Sequence, residues 1–131
     1  TVDKIDKRQK ASHTLQDYPI FETDATTRIT WVNKSFTRMM GVGPEELMEF
    51  GYRGFIHLED KERIVEELLS SMQDGRDFRA TFRLVNAASL TMCCIIEAIA
   101  LKDSNGHFSG YYGVLTKVED EKCGSRPMAF D

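Results

Sequence analysis

From Phe78 the apolar and polar positions alternate, with Phe78, Ala80, Phe82 and Leu84 interleaved by Arg79, Thr81, Arg83 and Val85. A period of two places successive side chains on opposite faces and predicts a half-buried strand. Immediately upstream the spacing differs. Ile64, Val65, Leu68, Leu69 and Met72 recur at i, i+1, i+4, i+5 and i+8 and stop before Asp74-Gly75. That stripe predicts a helix of about four turns beginning near Leu58. His57 stands at its cap, and Glu59 and Asp60 at its second and third positions favour the positive helix end. In this reading Asp60 reaches back to a backbone N–H, and F-I-H-L-E-D is a helix start rather than a reactive site.

The flanking segments extend the pattern. Pro19 to Thr23 and Arg28 to Val32, separated by D-A-T-T, read as a hairpin. Asn33 is a cap for a helix carrying Phe36, Met39 and Met40, which Gly41 ends. Gly43-Pro44-Glu45-Glu46-Leu47 starts a second short helix. Ser89 to Leu101 is long and apolar on both faces, S-N-G at Ser104 to Gly106 signals a hairpin turn, and Phe108 to Val118 is a final strand. Residues 1–17 show a weak helical pattern and read as a leader helix; residues 18–118 form the domain; residues 119–131 read as a flexible tail or the start of a linker. The order is two strands, three helices, three strands, an α+β pattern.

Composition changes this picture little. The chain has 131 residues, 41% hydrophobic and 29% charged, with a formal charge of −4, which does not favour nucleic acid or an anionic membrane. Arg76, Arg79 and Arg83 all have acids nearby. No apolar run is long enough for a bilayer span, and the charged start is unlike a signal peptide, so a cytoplasmic location is expected. Three cysteines, two of them adjacent at Cys93 and Cys94, read as reduced thiols. No Cys/His spacing suits a metal. A small hydrolase or isomerase of α+β type would need a buried Asp–His or Tyr–Asp pair. Asp24, Asp60 and Asp103 fall at turns or caps, and Tyr111 and Tyr112 have no evident acidic partner, so no catalytic residue is expected.

Taken in order, several fragments resemble the PAS sensor family over about 100 of the 131 residues. They are I-T-W-V-N-K-S-F with M-M-G-V-G-P-E-E-L, F-I-H-L-E-D-K-E-R, D-G-R-D-F-R-A-T-F-R-L and D-S-N-G-H-F-S-G-Y-Y-G-V-L. The departures are Leu58 where the family usually has Pro, Ala88-Ser89 in place of an Asp-Gly turn, Cys93 in place of a strand Trp, and Lys117-Val118-Glu119 where Asp-Ile-Thr often couples to an output helix. The resemblance implies a five-stranded antiparallel sheet with short helices packed on one face and a space between them. The residues expected to line that space, as ligand-binding wall or filled core, are Phe36, Met39, Met40, Leu47, Phe55, Ile64, Leu68, Phe82, Leu84, Cys94, Ile96, Ala98 and Leu115.

The cofactor is left unknown. A flavin adduct is disfavoured because Phe50-Gly51-Tyr52-Arg53-Gly54-Phe55 lacks the cysteine that the family's photosensors use. Haem is disfavoured because the stripe from Ile64 to Met72 has no histidine, leaving His57 as the nearest candidate. The other face of the fourth strand, with Cys93, Ile95, Ile99 and Leu101, is apolar where a solvated sheet face should be polar. It is expected to be covered by the leader helix or a second copy, giving a homodimer. The expected function is a non-catalytic sensory or regulatory module, with a possible effector domain in the same chain. The alternative is a ligand-free dimerisation scaffold with a filled core.

Overall fold

The side chain of Asn33 holds the first strand to the first helix. Its Oδ1 accepts from the N–H of Phe36 (3.0 Å), capping the helix, and from the N–H of Ile20 (3.0 Å), while Nδ2 donates to the carbonyl of Tyr18 (2.9 Å). The computed structural model describes residues 18–119 and Cys123. The expected leader helix over residues 1–17 and nearly all of the expected tail lie outside the described residues.

Along the chain come β1 (Ile20–Thr23), β2 (Ile29–Val32), α1 (Lys34–Met40), α2 (Pro44–Phe50), a single 3-10 turn (Arg53–Phe55), α3 (Leu58–Asp74), β3 (Phe78–Val85), β4 (Thr91–Lys102) and β5 (Phe108–Lys117). The strands form one sheet in the order β2-β1-β5-β4-β3, every pairing antiparallel. The expected hairpin, helices and final three strands are all present, with β4 starting two residues later than the apolar run.

Alternation decides which face is dry. Phe78, Ala80, Phe82 and Leu84 of β3, Met92, Cys94, Ala98 and Ala100 of β4, and Tyr111 and Leu115 of β5 join Phe36, Met40, Leu47, Ile64 and Leu68 in one core. Two glycines in β5 make this packing possible. Gly110 has φ 144°, and a Cβ there would collide with the carbonyl of Thr23; a Cβ at Gly113 would come within 2.7 Å of the Phe21 ring.

The β3–β4 turn lacks Asp-Gly but is still organised. Asn86 Oδ1 accepts from the N–H groups of Ala88 (2.9 Å) and Leu90 (3.0 Å), and Ser89 takes the left-handed position at φ 65°.

Two expectations are corrected. His57 caps α3, its Nδ1 accepting from the N–H of Glu59 (3.1 Å), but Asp60 does not fold back on its own helix. Its carboxylate accepts from the N–H (2.9 Å), Nε (2.9 Å) and Nη2 (2.8 Å) of Arg83 on β3. A full guanidinium charge plus a strand N–H is the stronger donor set, and β3 passes close enough to offer it. Second, the cysteines are not all free: Cys93 is disulfide-bonded to Cys123 and only Cys94 remains a thiol. Val118, just after β5, lies beside β4, its N–H donating to the Cys93 carbonyl (2.9 Å), a proximity that linear spacing does not display.

Candidate functional site

Between the dry sheet face and the helices lies a cavity of about 70 Å³. α1 contributes Phe36 and Met40 in successive turns, α2 contributes Leu47, α3 contributes Ile64 and Leu68, and the sheet contributes Phe82, Leu84, Ile96, Ala98 and Leu115. Phe55 joins them from the 3-10 turn, so eleven of the thirteen expected residues line the cavity. Met39 and Cys94 do not line the cavity. Met39 sits at the flank of α1 and packs on the core from its edge. Cys94 is fully buried elsewhere in the sheet, its thiol turned to the Met92 carbonyl at 3.8 Å.

The structure adds Phe21, Thr23, Thr27, Ile29, Tyr52, Ile56, Phe78 and Tyr111 to the wall. Phe78 stands on the same alternating stripe as Phe82, and Tyr111 on the same strand face as Leu115, so both had a periodic signal. Tyr52 and Thr27 lie in connections, where no period exists to mark them.

The polar groups of the wall are largely engaged with the protein. Thr23 Oγ1 donates to the carbonyl of Asp24 (3.0 Å) and accepts from the N–H of Tyr111 (2.9 Å); Thr27 donates to the carbonyl of Thr26; Tyr111 donates to the carbonyl of Arg76 (2.7 Å). Burial pushes the Tyr111 phenol up, partly offset by Arg76, so it stays neutral at physiological pH. The Tyr52 hydroxyl is buried without a hydrogen-bond partner. Thr27 holds φ 66°, unusual for a β-branched residue, in a loop organised by Asp24, whose Oδ1 accepts from the N–H groups of Thr26 (2.9 Å) and Arg28 (3.0 Å).

Among the described residues no charged side chain lines this space, so it can hold an apolar molecule by dispersion and exclusion of water. Its size is well below the roughly 300–1,000 Å³ of sites for drug-sized ligands, and about half of an engineered ~150 Å³ cavity that takes up benzene. His57 is occupied with capping and is not in the wall. Among the described residues no group of three or more His, Cys, Asp or Glu is placed to hold a metal ion, and no helix is long and apolar enough to cross a membrane.

On the opposite sheet face, Cys93 (2% exposed) is taken up by its bond to Cys123 and Leu101 (7%) is buried, whereas Ile95 is half-buried and Ile99 is 38% exposed. Arg79 and Glu97 pair across this face at 3.3 Å.

Known proteins share both fold and sequence pattern. The PAS domain of a protein from Colwellia psychrerythraea superposes with a TM-score of 0.74 at 18% identity, covering 90% of this chain and 99% of that one. A light-oxygen-voltage domain studied with a flavin analogue superposes with a TM-score of 0.75 at 22% identity, covering 86% of this chain and 85% of that one. The peroxide stress-activated histidine kinase mak1 of Schizosaccharomyces pombe is 26% identical over 110 residues, 83% of this chain, which spans only 7% of that kinase. A family model described as the PAS fold matches residues 29–115, more than half of the chain. The sheet order, the capped helices and this match agree: the chain belongs to the PAS family.

Proposed function

We propose that this domain is a non-catalytic sensory module of a signalling protein, and that it binds a small apolar molecule in the cavity between sheet and helices. The observation that carries this reading is the cavity itself: an apolar space between α1, α2, α3 and the sheet that side chains leave unfilled. A ligand there acts by population shift, favouring one arrangement of α1, α2 and α3 over another. Resemblance to a histidine kinase supports placement in two-component signalling, with an effector elsewhere in the same chain. Ile95 and Ile99 on the outer sheet face support a homodimer through that face. A cytoplasmic location fits a module of this kind.

Xenon is a suitable probe, because it fits a small dry cavity and makes no hydrogen bonds. Dissolved under pressure, it is expected to shift the methyl resonances of Ile64, Leu68, Ile96 and Leu115 saturably, and to lose this effect in Ala98→Leu, which fills the space. Unchanged methyl spectra would favour the ligand-free scaffold, and sedimentation of the chain as a strict monomer would remove the dimer.

A further inference from the structure

β5 ends at Lys117, and Val118 and Cys123 beyond it are both bound to Cys93 of β4. Cys93 accepts the Val118 N–H at 2.9 Å and is bonded through sulfur to Cys123, with the two Cα atoms 5.8 Å apart. The residues at this exit are Lys117-Val118-Glu119. We propose that Cys93–Cys123 is a reversible thiol–disulfide switch that ties Cys123 to β4 when oxidised and releases it when reduced. This input is separate from the cavity and does not depend on a ligand there.

The chemistry needs only a low-molecular-weight thiol and its disulfide. A small thiolate attacks the sulfur of Cys123, the more exposed residue of the two, half-buried where Cys93 is 2% exposed. The protein S–S bond breaks, Cys93 leaves as a thiolate and takes a proton, and a mixed disulfide remains on Cys123. A second small thiol attacks that bond, releasing the Cys123 thiol and a small-molecule disulfide. Two small thiols are thus oxidised and one protein disulfide is reduced, and a small disulfide drives the reverse.

The neighbouring cysteine is kept out of this exchange by geometry. Adjacent residues of a strand face opposite ways, so Cys94 points into the core, where it is fully buried. Burial also pushes its thiol up to about 11, leaving almost no thiolate at neutral pH. One face of β4 therefore carries the cysteine bonded to Cys123 and the other an inert thiol.

The test equilibrates the whole chain in buffers of graded thiol-to-disulfide ratio, then reads alkylation by mass and amide exchange by residue. Reduction is expected to expose the Cys93 and Cys123 thiols together, with Cys94 reacting only after denaturation. The Val118 amide is expected to exchange at least tenfold faster in the reduced protein, with the β3–β4 ladder unchanged. Cys123→Ser, which lies beyond the last strand, is expected to show the fast exchange in every buffer. Equal Val118 exchange in both states would overturn the proposal, as would a Cys94 disulfide in peptide mapping or failure of the pair to oxidise. Xenon shifts at the cavity methyls report separately on the proposed ligand site.

Discussion

The pairing of Asp60 with Arg83 ties α3 to β3, and replacing Asp60 by Asn tests it. Asp60 is 5% exposed, and its carboxylate takes three hydrogen bonds from Arg83, whose side chain is 15% exposed. The contact clamps the first turn of α3 to β3, beside the Ile56–Leu84 bridge and the His57 N–H to Arg83 carbonyl bond of 2.9 Å. Removing one partner of a buried ion pair costs about 3–5 kcal/mol, because the other charge is left uncompensated. Arg83 keeps Glu59 at 3.2 Å and some contact with water, and Asn retains one acceptor, so the low end, about 3 kcal/mol, is expected. With a urea dependence of about 1–3 kcal/mol per molar, the midpoint falls by roughly 1–3 M.

The pH dependence has a definite sign. Burial raises the Asp60 carboxyl, but the hydrogen bonds and charge of Arg83, with help from Arg63, outweigh it and hold the group below its ordinary value. A carboxyl lowered in the folded state contributes stability that is complete above its unfolded value of about 3.9 and is lost as pH falls through the folded one. The gap between wild type and Asp60→Asn should therefore be wide at neutral pH and narrow below about pH 4. Urea unfolding of wild type, Asp60→Asn, Arg83→Met and the double variant measures both the cost and the coupling. A cost under about 0.5 kcal/mol at neutral pH with no coupling would refute the reasoning.

Tyr52→Phe removes a buried hydroxyl that has no partner, and is expected to leave stability unchanged or raise it by about 1 kcal/mol in thermal unfolding, the reverse of most core substitutions. A loss above 1 kcal/mol would mean that the hydroxyl is bonded. Gly110→Ala forces a Cβ against the Thr23 carbonyl at φ 144°, and is expected to cost more than about 3 kcal/mol or to prevent folding, whereas Gly106→Ala in the exposed turn, with nothing within 4 Å of a Cβ, should cost less. Soluble expression and urea midpoints of the two variants make the comparison, and equal effects would contradict it.

Much of this protein was determined by local sequence. Alternation at Phe78 to Val85, the stripe from Ile64 to Met72 and the caps at Asn33 and His57 are short-range patterns, because strand and helix periods act over a few residues. Together with the family resemblance, their inward faces named eleven of the residues that border the cavity, since the residues that face inward on regular elements are the ones that meet there. Only the tertiary structure decided what depends on distant segments meeting. Asp60 found Arg83 across 23 positions and Cys93 found Cys123 across 30, while Tyr52 and Thr27 entered the wall from connections without a period. A carboxylate at a helix start can serve its own backbone or another chain segment equally well. Which it serves depends on the donor that folding brings within reach.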